Sequence, residues 1–131
     1  MSEFEHVTTD AAVEVYESSA PIFHGLFGEV RELSKKRPEA TMSASKVKII
    51  NRVLDELLLI LKEEPTGKYL EALDDQSLPQ MSDAVFTMVQ FETALAAFRT
   101  RYRQDIGLND YYWITESFVA HKDEDSEELK T

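Results

Sequence analysis

Residues 82–104 read Ser-Asp-Ala-Val-Phe-Thr-Met-Val-Gln-Phe-Glu-Thr-Ala-Leu-Ala-Ala-Phe-Arg-Thr-Arg-Tyr-Arg-Gln. Ala84, Met88, Phe91, Leu95, Phe98 and Tyr102 recur at alternating steps of four and three, which is one apolar stripe along an α-helix. Ser82 offers a side-chain cap for the first turn, and Asp83 suits the positive end of the helix dipole. Gly107 stands where a helix-ending glycine belongs. Leu108 follows it and could make the apolar contact that accompanies such an ending.

The same spacing extends in both directions. Upstream, Val47, Ile50, Leu54, Leu57 and Leu61 form a second stripe, started by Ser43 or Ser45 and closed by Pro65. Ile49, Val53, Leu58 and Ile60 widen that stripe, so this helix is expected at the centre, covered on more than one side. Further upstream, Val13, Tyr16, Ala20, Phe23, Phe27 and Val30 hold one register from about Asp10 to Lys36. Pro21 interrupts it and predicts a kink or split near Ser18–Ala20. Gly25 and Gly28 cost about 1 kcal/mol each relative to alanine inside a helix, so close approach of a neighbouring helix is expected there. A short helix is expected from about Thr66 to Asp74, then a turn over 74–79. Beyond Asn109, Tyr111-Tyr112-Trp113-Ile114 and Phe118 suggest a last short helix, with a strand as the alternative.

The fold class expected is therefore all-α: a small bundle of three long helices plus one or two short ones. A single domain spans residues 1–121, followed by an acidic tail, 122–131, with nothing apolar to bury and hence read as disordered. The 131 residues suit one domain, and 43% apolar content can supply a core. Four glycines and four prolines, against roughly 16 expected from average usage, disfavour turn-rich β folds and low-complexity chains. No cysteine means no disulfide and no thiol chemistry. No apolar run exceeds five residues, and the acidic start Met-Ser-Glu-Phe-Glu-His does not resemble a signal peptide, so no membrane and a cytoplasmic location are expected.

No catalytic constellation is legible, and no enzyme, metal or cofactor is expected. His6 and His121 lie in segments prone to fray, where a general base cannot hold its geometry, and His24 sits among Ile22, Phe23, Leu26 and Phe27 as a packing residue. Glu3–His6 is the only Glu-x-x-His pair, whereas a bundle di-metal site needs two. Thr66-Gly67-Lys68 lacks the glycine at 62 and the hydroxyl at 69 of a phosphate loop. Gly25-Leu26-Phe27-Gly28 has the letters of an RNA-clamping loop, yet it sits in a helical pattern with no flanking base before Arg31. Glu63–Glu64 and Asp74–Asp75 are sequence neighbours that point apart on a helix.

Three surfaces remain as candidates for binding. The first joins Tyr111, Tyr112 and Trp113 to Arg99, Arg101 and Arg103, residue types enriched at interface hot spots. The second is basic: residues 31–52 carry seven bases against two acids, and antiparallel packing of the first two helices would bring Lys35, Lys36, Arg37, Lys46, Lys48 and Arg52 to one end. The third is the acidic surface of a chain with net charge −11. They correspond to three functions. The leading one is a non-catalytic protein–protein interaction module, such as an adaptor, regulatory subunit or inhibitor. The alternatives are a small subunit of a nucleoprotein complex holding nucleic acid on its basic end, and an acidic mimic of nucleic acid. Self-association as a homo-oligomer is open too, through the wide apolar stripe of the second helix.

Overall fold

The structure, a computed structural model, describes residues 4–130, with side chains through residue 125. It is mostly helical, with a small two-stranded sheet added. Helix α1 spans Asp10–Lys36, α2 Ala44–Leu61, α3 Met81–Tyr102 and α4 Glu116–Lys130. Strands β1 (Arg103–Asp105) and β2 (Tyr111–Trp113) form an antiparallel hairpin between α3 and α4.

The three stripes make the core. Phe23, Phe27 and Val30 of α1, Val47, Ile50, Leu54, Leu57 and Leu61 of α2, and Ala84, Met88, Phe91, Leu95, Phe98 and Tyr102 of α3 are all buried. The central helix is α1, not α2. It packs along both other long helices, which touch each other less. Of the residues that widen the α2 stripe, Val53, Leu58 and Ile60 pack partly buried against the core, while Ile49 stays 49% exposed; Leu59 is 71% exposed.

Thr9 begins α1, its Oγ1 accepting from the Ala12 N–H at 3.0 Å. The helix then runs as one continuous element through Pro21 to Lys36, so the split that the sequence allowed does not occur. Gly25 and Gly28 also differ from expectation: both are exposed, and a Cβ on either would meet nothing. Close approach occurs instead at Gly67, where a Cβ would collide with the Leu61 carbonyl oxygen.

Ser43 caps α2 by accepting from the Lys46 N–H at 3.2 Å. The predicted short helix after Pro65 is reduced to a 3-10 turn, Pro65–Gly67, followed by a turn at Lys68 and Tyr69 and by non-helical chain over 70–74. Asn51 holds that chain. Its amide donates to the Leu73 carbonyl at 2.8 Å and accepts from the Leu73 N–H at 2.9 Å, holding Leu73 in the core as a strand partner would. The turn expected over 74–79 is present, with Asp74 Oδ1 accepting from the N–H groups of Gln76 and Ser77.

Helix α3 starts at Met81, one residue before its expected cap, and has no side-chain cap. The loop between α1 and α2 takes that role, because Ala40 and Pro38 carbonyls accept from the Met81 and Ser82 N–H groups at 2.9 and 3.0 Å. Orphan donors at a helix start need acceptors of some kind, and backbone carbonyls serve as well as a hydroxyl.

The largest departure from an all-α bundle lies past Tyr102. Gly107 is not a helix-ending residue but part of a hairpin turn, in which Gly107, Leu108 and Asn109 take φ of 148°, 50° and 65°. Asp105 fastens the turn, accepting from the N–H groups of Gly107, Asn109 and Asp110 at 2.9, 3.2 and 3.1 Å. The aromatic run Tyr111–Trp113, of strand-favouring residues, is then a strand. Thr8 bridges to Thr115 beside it, and Thr115 caps α4. Helix α4 continues through the acidic stretch where a disordered tail was expected. Its residues 121–125 are exposed, and His121 and Asp125, 3.5 Å apart, pair across one turn there. The side chains of 126–131 lie outside the described residues.

Candidate functional site

The hairpin is anchored from below. Trp113 packs on Tyr16 and Phe98, with ring centroids 5.0 and 6.0 Å apart, and Ile114 is fully buried. Its upper parts are bare: Leu108 is 101% exposed, Tyr111 50% and Tyr112 42%, the last resting on Phe118 at 5.5 Å. Of the three predicted aromatic contact residues, Tyr111 and Tyr112 therefore face outward, while Trp113 is half-buried and ties the hairpin to the bundle.

An open cavity of about 730 Å³ lies between α1, the end of α3 and this hairpin. Glu92, Ala96, Arg99 and Arg103 line it at helical spacing, with Tyr16 and His24 from α1 and Tyr111 from β2. The three arginines divide, as a rotation of roughly 100° per helical residue requires. Arg99 and Arg103 line this cavity, and the Arg103 guanidinium lies 5.7 Å from the Trp113 ring centroid. Arg101 points to the other side of α3, 3.9 Å from Glu64, whose other oxygen accepts from the Tyr102 hydroxyl at 2.8 Å. Arg101 Nε is buried there without a hydrogen-bond partner.

Charge and burial compete at the two tyrosines. Burial pushes the Tyr16 phenol up, against the opposing pull of Arg99 and Arg103. Burial also raises Tyr102, helped by its hydrogen bond to Glu64 and by the Glu64 charge. Neither Arg99 nor Arg103 forms an ion pair among the described residues. Asp105, also on the cavity wall, spends its oxygens on the turn.

Sequence reasoning missed Tyr16, His24, Glu92 and Asp105 as cavity residues. The Glu92–Arg99–Arg103 spacing beside the α3 stripe was the available signal. His24 was expected to pack in the core; it is exposed at the cavity rim, edge-on to Phe23 at 5.4 Å. No group of three or more potential metal ligands gathers among the described residues, and the Glu3–His6 pair extends outside them.

At the opposite end, α1 and α2 do run antiparallel: Leu26, Val30 and Leu33 share an apolar groove with Lys46, Ile49 and Ile50. This brings the end of α1 toward the start of α2. Lys35, Lys36, Arg37, Lys46, Lys48 and Arg52 are all exposed, and only Lys35 has an ion pair among the described residues, to Glu32 at 3.0 Å. The Lys35 hydrogen bond holds the Glu32 carboxyl below the usual range. No helix among the described residues is long and apolar enough to cross a membrane. Comparison with family models, with characterised proteins and with solved structures finds no match to this chain.

Proposed function

We propose that this chain is a non-catalytic protein-interaction module whose contact surface is the β1–β2 hairpin and the cavity beside it. The carrying observation is the display of Leu108, Tyr111 and Tyr112 to solvent on a hairpin that Trp113 and Ile114 fix to the core. A leucine at φ 50° pays steric strain to stand fully exposed, and strained, exposed apolar residues favour a contact role over a packing role. Tyrosine and arginine in one place are what interface centres favour: tyrosine gives a large contact area with few rotatable bonds and a polar end, and arginine gives a planar fork of hydrogen-bond donors.

The test is affinity capture with tagged protein from native lysate, with and without nuclease, repeated with the double variant Leu108→Asn/Tyr111→Ser. Asparagine tolerates the positive φ, and Tyr111 stacks on no other ring among the described residues, so the fold should be unaffected. A partner retained through nuclease and weakened by about 2 kcal/mol or more in the variant supports the reading. A partner held equally by parent and variant refutes it.

A second reading draws support from the basic end, where five of the six exposed bases have no ion pair among the described residues. Partners lost with nuclease, and sensitive to salt and to Lys48→Glu/Arg52→Glu, would favour nucleic-acid contact there.

A further inference from the structure

We infer that the cavity between α1, α3 and the hairpin is a recognition slot for an acidic segment of the partner protein, with a carboxylate seated between the guanidinium groups of Arg99 and Arg103. This deepens the reading of the hairpin as the contact surface and rests on it.

The shared cavity carries the first part. The chain has 25 acidic residues and 14 basic ones, and what sets Arg99 and Arg103 apart from the other bases without an ion pair is that both line one cavity. Arg99 and Arg103 share one cavity and form no ion pair among the described residues. The two carboxylates on the cavity wall do not serve them. Asp105 accepts from three backbone N–H groups of the turn. Glu92 precedes Arg99 by seven residues, a rise of roughly 10 Å along α3.

Geometry carries the second part. Arg103 is fixed by its ladder position opposite Trp113 and by lying over that ring. Arg99 sits one helical turn earlier, and the Arg103 N–H donates back to the Arg99 carbonyl. Two guanidinium groups so placed offer planar forks that match a carboxylate. Leu95, Ala96, Tyr16 and Tyr111 supply apolar and aromatic wall beside them, so an acidic residue next to an aromatic or branched apolar one fits better than charge alone. With Glu92 at the far end and His24 on the rim, the slot has a cationic and an acidic end. A long polyanion would meet Glu92 and Asp105, whereas a short acidic segment avoids them.

The test selects random heptapeptides displayed on phage against the full chain. The enriched peptides are then synthesised and their affinities measured by fluorescence anisotropy for the parent, Arg99→Ser/Arg103→Ser and Arg99→Lys/Arg103→Lys. Expected is a consensus with Asp or Glu beside an aromatic or branched apolar residue, and a loss of about tenfold or more in the serine variant. The lysine variant should recover part of it, since it restores charge but not the fork. No enrichment, a consensus without an acid, or equal binding to parent and serine variant overturns the inference. The slot can fail while the hairpin reading stands. Partner capture lost with Leu108→Asn/Tyr111→Ser but kept with Arg99→Ser/Arg103→Ser removes the slot and leaves the surface.

Discussion

Tyr102 shows how one residue of a readable stripe acquires a role that spacing cannot reveal. Its ring was placed in the core by periodicity; its hydroxyl reaches Glu64, 38 positions away in the chain, and no local pattern encodes that pairing. Tyr102→Phe should cost about 1 kcal/mol, read from the urea midpoint. A pH effect accompanies it. Tyr16 and Tyr102 are both raised in the fold above the usual value of 10.0, chiefly by burial, so the unfolded chain loses these protons first. The stability they contribute is therefore full below pH 10 and falls as pH rises past it. Tyr102→Phe should show a shallower alkaline loss than the parent, measurable by thermal melts from pH 8 to 11. The glycines make a sharper comparison. Gly25→Ala should stabilise by ~0.5–1 kcal/mol, because the site is an open helix interior, while Gly67→Ala should destabilise by about 1–3 kcal/mol through collision with the Leu61 carbonyl. Composition treats these glycines alike. Only the tertiary path of the chain tells them apart.

At the scale of elements, the three long helices were legible because each repeats an apolar step of three or four over many turns, and every repeat adds to the same signal. Their ends and short connections were less so. The start of α3 is satisfied by carbonyls of the distant 38–42 loop, and the non-helical chain over 70–74 is tied to the Asn51 amide through Leu73. Both are long-range hydrogen bonds with no signature in the local sequence. The hairpin was legible only in part, as the strand alternative for the aromatic run: Gly107 fits a helix ending and a β-turn equally well, and what decides is Asp105, whose carboxylate collects the turn's N–H groups. Asp105→Ala should therefore loosen the hairpin with the helices intact. Amide exchange at residues 106–113 should quicken by a factor corresponding to about 1 kcal/mol, while the far-ultraviolet helical signal is unchanged. Trp113→Ala is expected to be more damaging than a surface substitution, since its indole bridges Tyr16, Phe98 and Arg103.

Across the whole molecule, the candidate site was less legible than the fold. The arginine–aromatic segment was visible as a candidate, but its sequence order hid that Arg101 faces away and that Trp113 is an anchor. The cavity partners Tyr16, His24 and Glu92 come from positions far from that segment in the chain, so only folding brings them beside it. The two ends of the bundle now differ in kind. One presents aromatic rings of the hairpin beside Arg99 of α3 and Arg103 of β1, which form no ion pair among the described residues, and the other presents exposed bases. The measurement that separates them most directly is amide hydrogen exchange of the protein with and without its captured partner. Protection is expected at residues 103–113 and in the last turn of α3, with the 35–52 segment unchanged. Protection confined to 35–52, with the hairpin exchanging as in the free protein, would contradict the hairpin as the contact surface.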